Sequence, residues 1–273
     1  MQSDERRPKN RKPQWLRILC LGLITALVGA TGYHEALAVQ KKSAKQKPKR
    51  AQKKPPAKKR ITTKDILEAE QLLSDLGYWT GPVDGKFDEN SRHALIAFQK
   101  VERRDLTGRL TVEELEAIRK AKRPSPRESG YVGHIEIDLA RQVLFIVDAE
   151  GEVSKILPVS SGNGEEFMSE GWTRSATTPV GRFKVHNKID GWRKAPLGLM
   201  YYPVYYLSGI AIHGSPSVPA YPASHGCVRI PVFAAKEFSQ MTPLDAWVIV
   251  HDGSPKPDEQ KDPPPQSNLP GDN

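Results

Sequence analysis

A chain of 273 residues has room for two modest domains, since one globular unit usually takes about 100 to 200 residues. Its 38% hydrophobic and 7% aromatic content suits a packed core, while 23 prolines point to sizeable unfolded segments. The formal charge of +9 is unevenly placed: 17 of the 41 Lys and Arg, but three of the 32 Asp and Glu, lie up to Arg60, leaving 24 bases against 29 acids beyond it, so the folded part is mildly acidic and gives no case for nucleic-acid binding.

Residues 1–38 read as an export segment. Arg6, Arg7, Lys9, Arg11 and Lys12 precede, and Arg17 lies at the start of, an apolar run from Leu16 to Ala30, and Ala36-Leu37-Ala38 supplies a small-x-small cleavage site. The run is shorter than the roughly 20 residues of a comfortable membrane span, and an uncleaved anchor is the alternative reading. Leu19 stands before Cys20 where a lipoprotein site wants a small residue, which argues against lipidation. If cleavage follows Ala38, the mature chain holds a single cysteine, Cys227, in a compartment that favours disulfides. A lone thiol there calls for a chemical reason.

Residues 39–60 form a basic linker whose composition buries too little apolar area to offset chain entropy. Beyond a merely solvated charge run, the functional expectation for residues 40–60 is attraction to anionic membrane lipids or acidic wall polymers, about 1 kcal/mol per base near such a surface.

From 61 to 121 the pattern turns helical. Ile66, Leu67, Leu72, Leu73 and Leu76 share a helix face up to a break at Gly77, Ala94, Leu95 and Phe98 mark a second helix, and Thr111 with Glu114 has capping-box spacing ahead of Leu115 and Ile118. The expectation is a small all-α three-helix bundle. Its distinctive stretch is Leu76-Gly77-Tyr78, then Gly81, Val83-Asp84-Gly85, Phe87, and Ala94-Leu95 with Phe98-Gln99. Here the sequence resembles the peptidoglycan-binding domain found in cell-wall hydrolases, departing from its pattern at Phe87-Asp88 and Arg104-Asp105-Leu106. The resemblance implies contact with peptidoglycan glycan. Tyr78, Trp79 and Phe87 are either core residues or, for an exposed Tyr78 or Trp79, a stacking surface for sugar.

A polar linker at 122–132 leads into short alternating runs: Ile135 and Ile137, then Val143, Phe145 and Val147, later Phe183 and Val185, closing with Ala246 to Val250. Frequent glycines punctuate them, so strands are expected to dominate residues 133–251 in a mainly β sandwich. Residues 252–273 read as a disordered tail.

The segment that carries chemistry is Ile212-His213-Gly214-Ser215 followed by Ser224-His225-Gly226-Cys227-Val228-Arg229. An imidazole that takes a proton from cysteine raises the fraction of thiolate, the attacking species. Either histidine fits the pattern. His225 shares a strand face with Cys227 without their tips necessarily meeting, whereas His213 on a neighbouring strand faces the sulfur across the sheet and is the favoured base. This stretch resembles the motif of the L,D-transpeptidase family, supported upstream by Thr178-Pro179-Val180-Gly181-Arg182-Phe183 and spanning about Gly133 to His251. The resemblance implies Cys227 as nucleophile, His213 as general base, and the Gly214 carbonyl as the group that orients the imidazole. Ser224, His225, Gly226 and Arg229 would shape the site. It further implies attack on the stem-peptide bond before the fourth residue, D-alanine, expulsion of that D-amino acid, and resolution of the thioester by an amine. Backbone N–H groups near Gly226 and Cys227 are the expected oxyanion donors.

Arg229 weighs evenly between a substrate carboxylate and a structural salt bridge. The tyrosine cluster 201–206 divides between core and groove, with Tyr202 and Tyr206 as substrate-contact candidates. No cofactor or metal is expected. A zinc site from His213, His225, Cys227 and His251 is the competing chemistry, but the segment offers no H-E-x-x-H and no carboxylate. A non-enzymatic wall anchor is the competing function class. Within the enzyme class the outcomes are cross-linking of stems, attachment of a lipoprotein to the wall, or L,D-carboxypeptidase trimming of tetrapeptides, all in the periplasm or cell wall.

Overall fold

In the computed structural model, residues 60–254 apart from 129, 132 and 170 are described. The export segment, nearly all of the basic linker and most of the tail lie outside the described residues. Among those described, no helix is long and apolar enough to cross a membrane.

Three capped helices come first. In α1 (Thr63–Asp75) the Thr62 hydroxyl accepts from the Asp65 amide while the Asp65 carboxylate accepts from the Thr62 amide, a full capping box. Asp88 caps α2 (Glu89–Val101), and Thr111 caps α3 (Val112–Lys120) by accepting from the Glu114 amide. The Glu114 carboxylate pairs instead with Arg104 at 3.0 Å. Buried Glu70 accepts from the Gly85 amide (2.8 Å) and the Ser91 hydroxyl (2.6 Å), which ties the Val83-Asp84-Gly85 turn to α1 and α2.

Two sheets follow. The first runs β3 (Val153–Pro158), β2 (Val143–Val147), β1 (His134–Asp138), β12 (Trp247–His251), β6 (Gly181–Lys184), antiparallel except for the β1–β12 pair. The second runs β11 (Val228–Pro231), β10 (Ile210–Ser215), β9 (Gly198–Leu207), β7 (Asn187–Lys188), with β8 (Trp192–Ala195) also on β9. β4 (Glu166–Ser169) and β5 (Trp172–Ser175) form a separate hairpin. One core cluster joins Ile135, Ile137, Leu144, Val248 and Val250 of the first sheet to Val204, Ile212, Val228 and Ile230 of the second.

Strands dominate the second half as expected, with one helix that the sequence reading did not single out: Val232–Met241 forms α4. Ala234, Ala235 and Phe238 fall at helix-face spacing and are fully buried in that same core. The signal is present in the sequence but short, and a ten-residue segment flanked by strands does not declare its period.

The helices are not strung beside the sheets. β2 is buried on both faces: Leu144 enters the inter-sheet core, while Val143, Phe145 and Val147 join Val153 and Ile156 against Tyr78, Leu95 and Phe98 of the helical unit. The backbone also crosses the seam, with Ile156 N–H donating to Gly77 O (2.8 Å) and Trp79 N–H donating to Ile156 O (3.1 Å). Tyr78 and Trp79 are consequently buried, at 2% and 6% exposure, so neither offers a sugar-stacking face. Five sheet side chains bury against the helices, each contributing about 1.5 to 3 kcal/mol, which is comparable to the net stability of a whole domain. The helices and both sheets accordingly belong to one compact unit.

Candidate active site

The parallel pairing of β10 with β11 sets the site. Ile212 lies opposite Val228 and His213 opposite Arg229. Ile212 and Val228 point into the core, so by strand alternation His213, Arg229 and Cys227, the residue just before β11, lie on the other face. His213 is 5% exposed, and its Nδ1 is 3.0 Å from the Gly214 carbonyl. A carbonyl only accepts, so Nδ1 carries the proton and Nε2 keeps its lone pair. Gly214 has no room for a side chain: a Cβ there would lie 2.7 Å from Ala235 Cβ of α4 and 3.1 Å from Tyr201 Cβ. Its absence lets β10 lie close on the helix.

Cys227 is half-buried and free. Its thiol donates to the Gly209 carbonyl at 3.7 Å, and no hydrogen bond joins Sγ to His213 in this conformation. The loop that presents it is braced at several points. Ser224 Oγ donates to the Cys227 carbonyl and accepts from the Gly226 amide (3.0 Å). Thr178 Oγ1 donates to the Gly226 carbonyl (2.7 Å) and accepts from the Gly162 amide (2.9 Å). Gly226 has φ +129°, and a Cβ on it would meet Thr177 O at 3.1 Å, so the tight turn before the cysteine requires glycine. Ser160 exchanges two backbone hydrogen bonds with Arg229, and the Ser161 carbonyl accepts the amides of Ala223 and Ser224.

Burial dominates the electrostatics. It pushes the Cys227 thiol up, partly offset by the Ala211 backbone and the Arg229 charge. It pushes the His213 imidazole down, against the pull of the Gly214 carbonyl and with help from Arg229. Both shifts favour a neutral thiol beside a neutral imidazole at rest, in place of the standing thiolate that the sequence motif alone invites. Arg229 is half-buried and forms no salt bridge with a described residue.

The remaining candidates separate. His225 is exposed and its ring packs edge-on against Phe167 of the β4–β5 hairpin, with centroids 4.7 Å apart. Tyr202 is half-buried at φ +47°, its ring 4.7 Å from that of Tyr201. Tyr206 is 3% exposed in the core, beside Phe183, and its hydroxyl has no hydrogen-bond partner. It occupies a β-bulge, since Ile210 pairs with Leu207 but Ala211 pairs with Tyr205. Burial still alternates along this stretch, with Val204 and Tyr206 buried and Tyr205 half-buried, so Tyr206 lies on the core face with Val204; strand alternation separates the two faces, and packing decides which of them is enclosed. His251 lies with Glu136 (3.4 Å) at the β1–β12 pair, and among the described residues no three His, Cys, Asp or Glu side chains gather as a metal site. Sequence reasoning missed Ser160, Ser161 and the double role of Thr178. All are small polar residues whose function is defined by partners dozens of positions away.

Comparison with known proteins agrees with this architecture. The model of the L,D-transpeptidase catalytic domain matches residues 132–250, and that of a putative peptidoglycan binding domain matches residues 62–118. The crystal structure of the L,D-transpeptidase (residues 123–326) from Xylanimonas cellulosilytica is 38% identical with a TM-score of 0.65, and the alignment covers 68% of this chain and 93% of that one. An L,D-transpeptidase structure from Stackebrandtia nassauensis is 20% identical with a TM-score of 0.42, covering 70% and 92%. A search of curated proteins returns no match. With 38% identity over 68% of its own length and nearly the whole of the Xylanimonas chain, this chain belongs to the L,D-transpeptidase family and carries a peptidoglycan-binding domain ahead of the catalytic one.

Proposed function

We propose that the chain is an acyltransferase of peptidoglycan stem peptides, with Cys227 as nucleophile and His213 Nε2 as general base. The observation that carries this reading is the hydrogen bond of His213 Nδ1 to the Gly214 carbonyl, which leaves Nε2 basic on the sheet face shared with Cys227. Sγ leaves its contact with Gly209 and gives its proton to Nε2 as it attacks the carbonyl carbon preceding the terminal D-amino acid. The developing oxyanion is met by the Cys227 amide. The Gly226 amide is already committed to Ser224 Oγ, so the oxyanion role falls to one of the two donors the motif suggests. Collapse breaks the C–N bond, and His213 returns the proton to the leaving amine. An acceptor amine, deprotonated in turn by His213, then attacks the thioester and frees the thiol.

Arg229, without an acidic partner among the described residues, is suited to a substrate carboxylate, and Tyr202 is the better placed of the two tyrosines for substrate contact because Tyr206 is enclosed. A chain with these two domains works outside the cytoplasm, at the wall.

The test is mass analysis of products from purified tetrapeptide muropeptides, with and without an amine acceptor. Loss of the terminal D-amino acid with capture of the acceptor is expected, Cys227→Ala should reduce turnover by about a thousandfold or more, and a carbapenem should add its mass to Cys227. Full activity in Cys227→Ala would overturn the assignment. Release of tripeptide alone in the presence of acceptor would make the enzyme a hydrolase of the same bond.

A further inference from the structure

Lys100 ends the Phe98-Gln99 motif of α2, within the peptidoglycan-binding domain, yet it is 4% exposed. Its amine donates to the carbonyls of Gln142 and Val159, both at 2.9 Å, across the seam in the β domain. Burying an amine is costly unless its donors are used. Burial pushes Lys100 down to about 7, and even the neutral amine keeps two N–H donors, enough for both carbonyls.

These two acceptors begin a path to the cysteine. The Gln142 side chain donates to Leu139 O (2.8 Å) and Ser161 Oγ (2.7 Å) and accepts from Ser161 N–H (2.9 Å). Val159 leads directly into Ser160, Ser161 and Gly162. Each of these three holds part of the catalytic loop: Ser160 holds Arg229, Ser161 holds Ala223 and Ser224, and Gly162 holds Thr178, whose hydroxyl fixes Gly226. Residues 159–162 are thus a cradle under the cysteine loop, and Lys100 and Gln142 support it from the seam with the helices.

We propose that Lys100, a residue of the peptidoglycan-binding domain, is a positioning residue for the Cys227 loop, so that the helical domain is part of the catalytic framework as well as a wall-binding unit. The kinetic side of this inference rests on the reading of Cys227 as nucleophile. Small displacements of a reacting group suffice to slow chemistry, because its geometry enters the rate directly while substrate contacts elsewhere survive.

The experiment compares full-length Lys100→Met, Ser161→Ala, the double variant and Ile118→Ala. Ile118 is a buried bundle residue with no hydrogen bond to the path, and it controls for loss of stability. For each, kcat and KM are measured on tetrapeptide muropeptide with an amine acceptor, and amide hydrogen exchange is followed in residues 221–229. Lys100→Met is expected to lower kcat by about tenfold or more, with KM within about twofold, and to speed exchange in 221–229. The double variant should lose little more than the worse single one, as members of one path do. Wild-type kcat and exchange in Lys100→Met, or an equal loss in Ile118→Ala at matched stability, would overturn the proposal. If Lys100→Met does not fold, Ser161→Ala decides alone: unchanged kcat and exchange reject the path. Exchange is read without turnover, so activity surviving in Cys227→Ala would defeat the nucleophile assignment while leaving the bracing of the loop to stand or fall by itself.

Discussion

At the scale of the residue, the Cys227 and His213 environments set a definite resting state. Burial moves the thiol up and the imidazole down, so in the proposed mechanism proton transfer accompanies attack and does not precede substrate. Alkylation of the free enzyme by iodoacetamide should therefore climb with pH without a plateau through the neutral range and continue rising past the ordinary thiol value of about 8.5. A resting ion pair would give a flat, fast rate from mildly acid pH upward, and that profile would contradict the neutral pair. With His213 as the proposed base, turnover needs the unprotonated imidazole. Because its value lies below the ordinary ~6.5, activity should persist as pH falls through that point, and a kcat profile measured from pH 5 to 8 checks it. The Ser224 to Arg229 segment is legible as one motif because its chemistry is local. The preference for His213 over His225 came from strand geometry and family resemblance; the packing of His225 against Phe167, 58 positions earlier in the chain, is a long-range contact that the sequence does not display.

At the scale of the element, the β10–β11 pair is as much a product of its braces as of its own hydrogen bonds. Thr178 precedes β6 and reaches both the Gly162 amide and the Gly226 carbonyl with one hydroxyl. Thr178→Val keeps the shape and removes both bonds, leaving two polar groups in a tight turn without partners. It is expected to cost about 2 to 3 kcal/mol in denaturant unfolding, and to lower kcat more than KM. Unchanged stability would mean that water replaces the hydroxyl. The helices of the bundle were readable from apolar spacing, with a cap signal at Thr111 for the third, since those are properties of nearby residues. α4 and the Tyr206 bulge were not, because a short helix over a sheet and a one-residue slip in register are selected by what packs against them.

At the scale of the whole molecule, the seam makes two sequence domains one structural unit. Phe98 is fully buried, in T-shaped contact with Tyr78 at 5.7 Å and in the same cluster as Val143 and Phe145 of β2. Phe98→Ala should cost about 3 to 5 kcal/mol and lower one shared transition, seen together by far-ultraviolet circular dichroism and by loss of transpeptidation. Two transitions, with the catalytic one unmoved, would show the domains to be independent. Cooperative unfolding is the expectation when side chains of both domains share one core cluster.

What the sequence determined by itself was everything carried by neighbouring residues or by a compact motif: a mildly acidic stretch behind a basic N-terminal one, three helices, a strand-rich second half, and a cysteine set among histidines. The tertiary structure decided what depends on distant pairs. It decided that Tyr78 and Trp79 pack inward, that β2 is apolar on both faces because helices cover one of them, that Tyr206 is enclosed, and that Lys100 of one domain bonds to carbonyls of the other. The reason is physical: periodicity and caps act over a few residues, whereas burial and register are fixed by surfaces that meet only when the chain has folded.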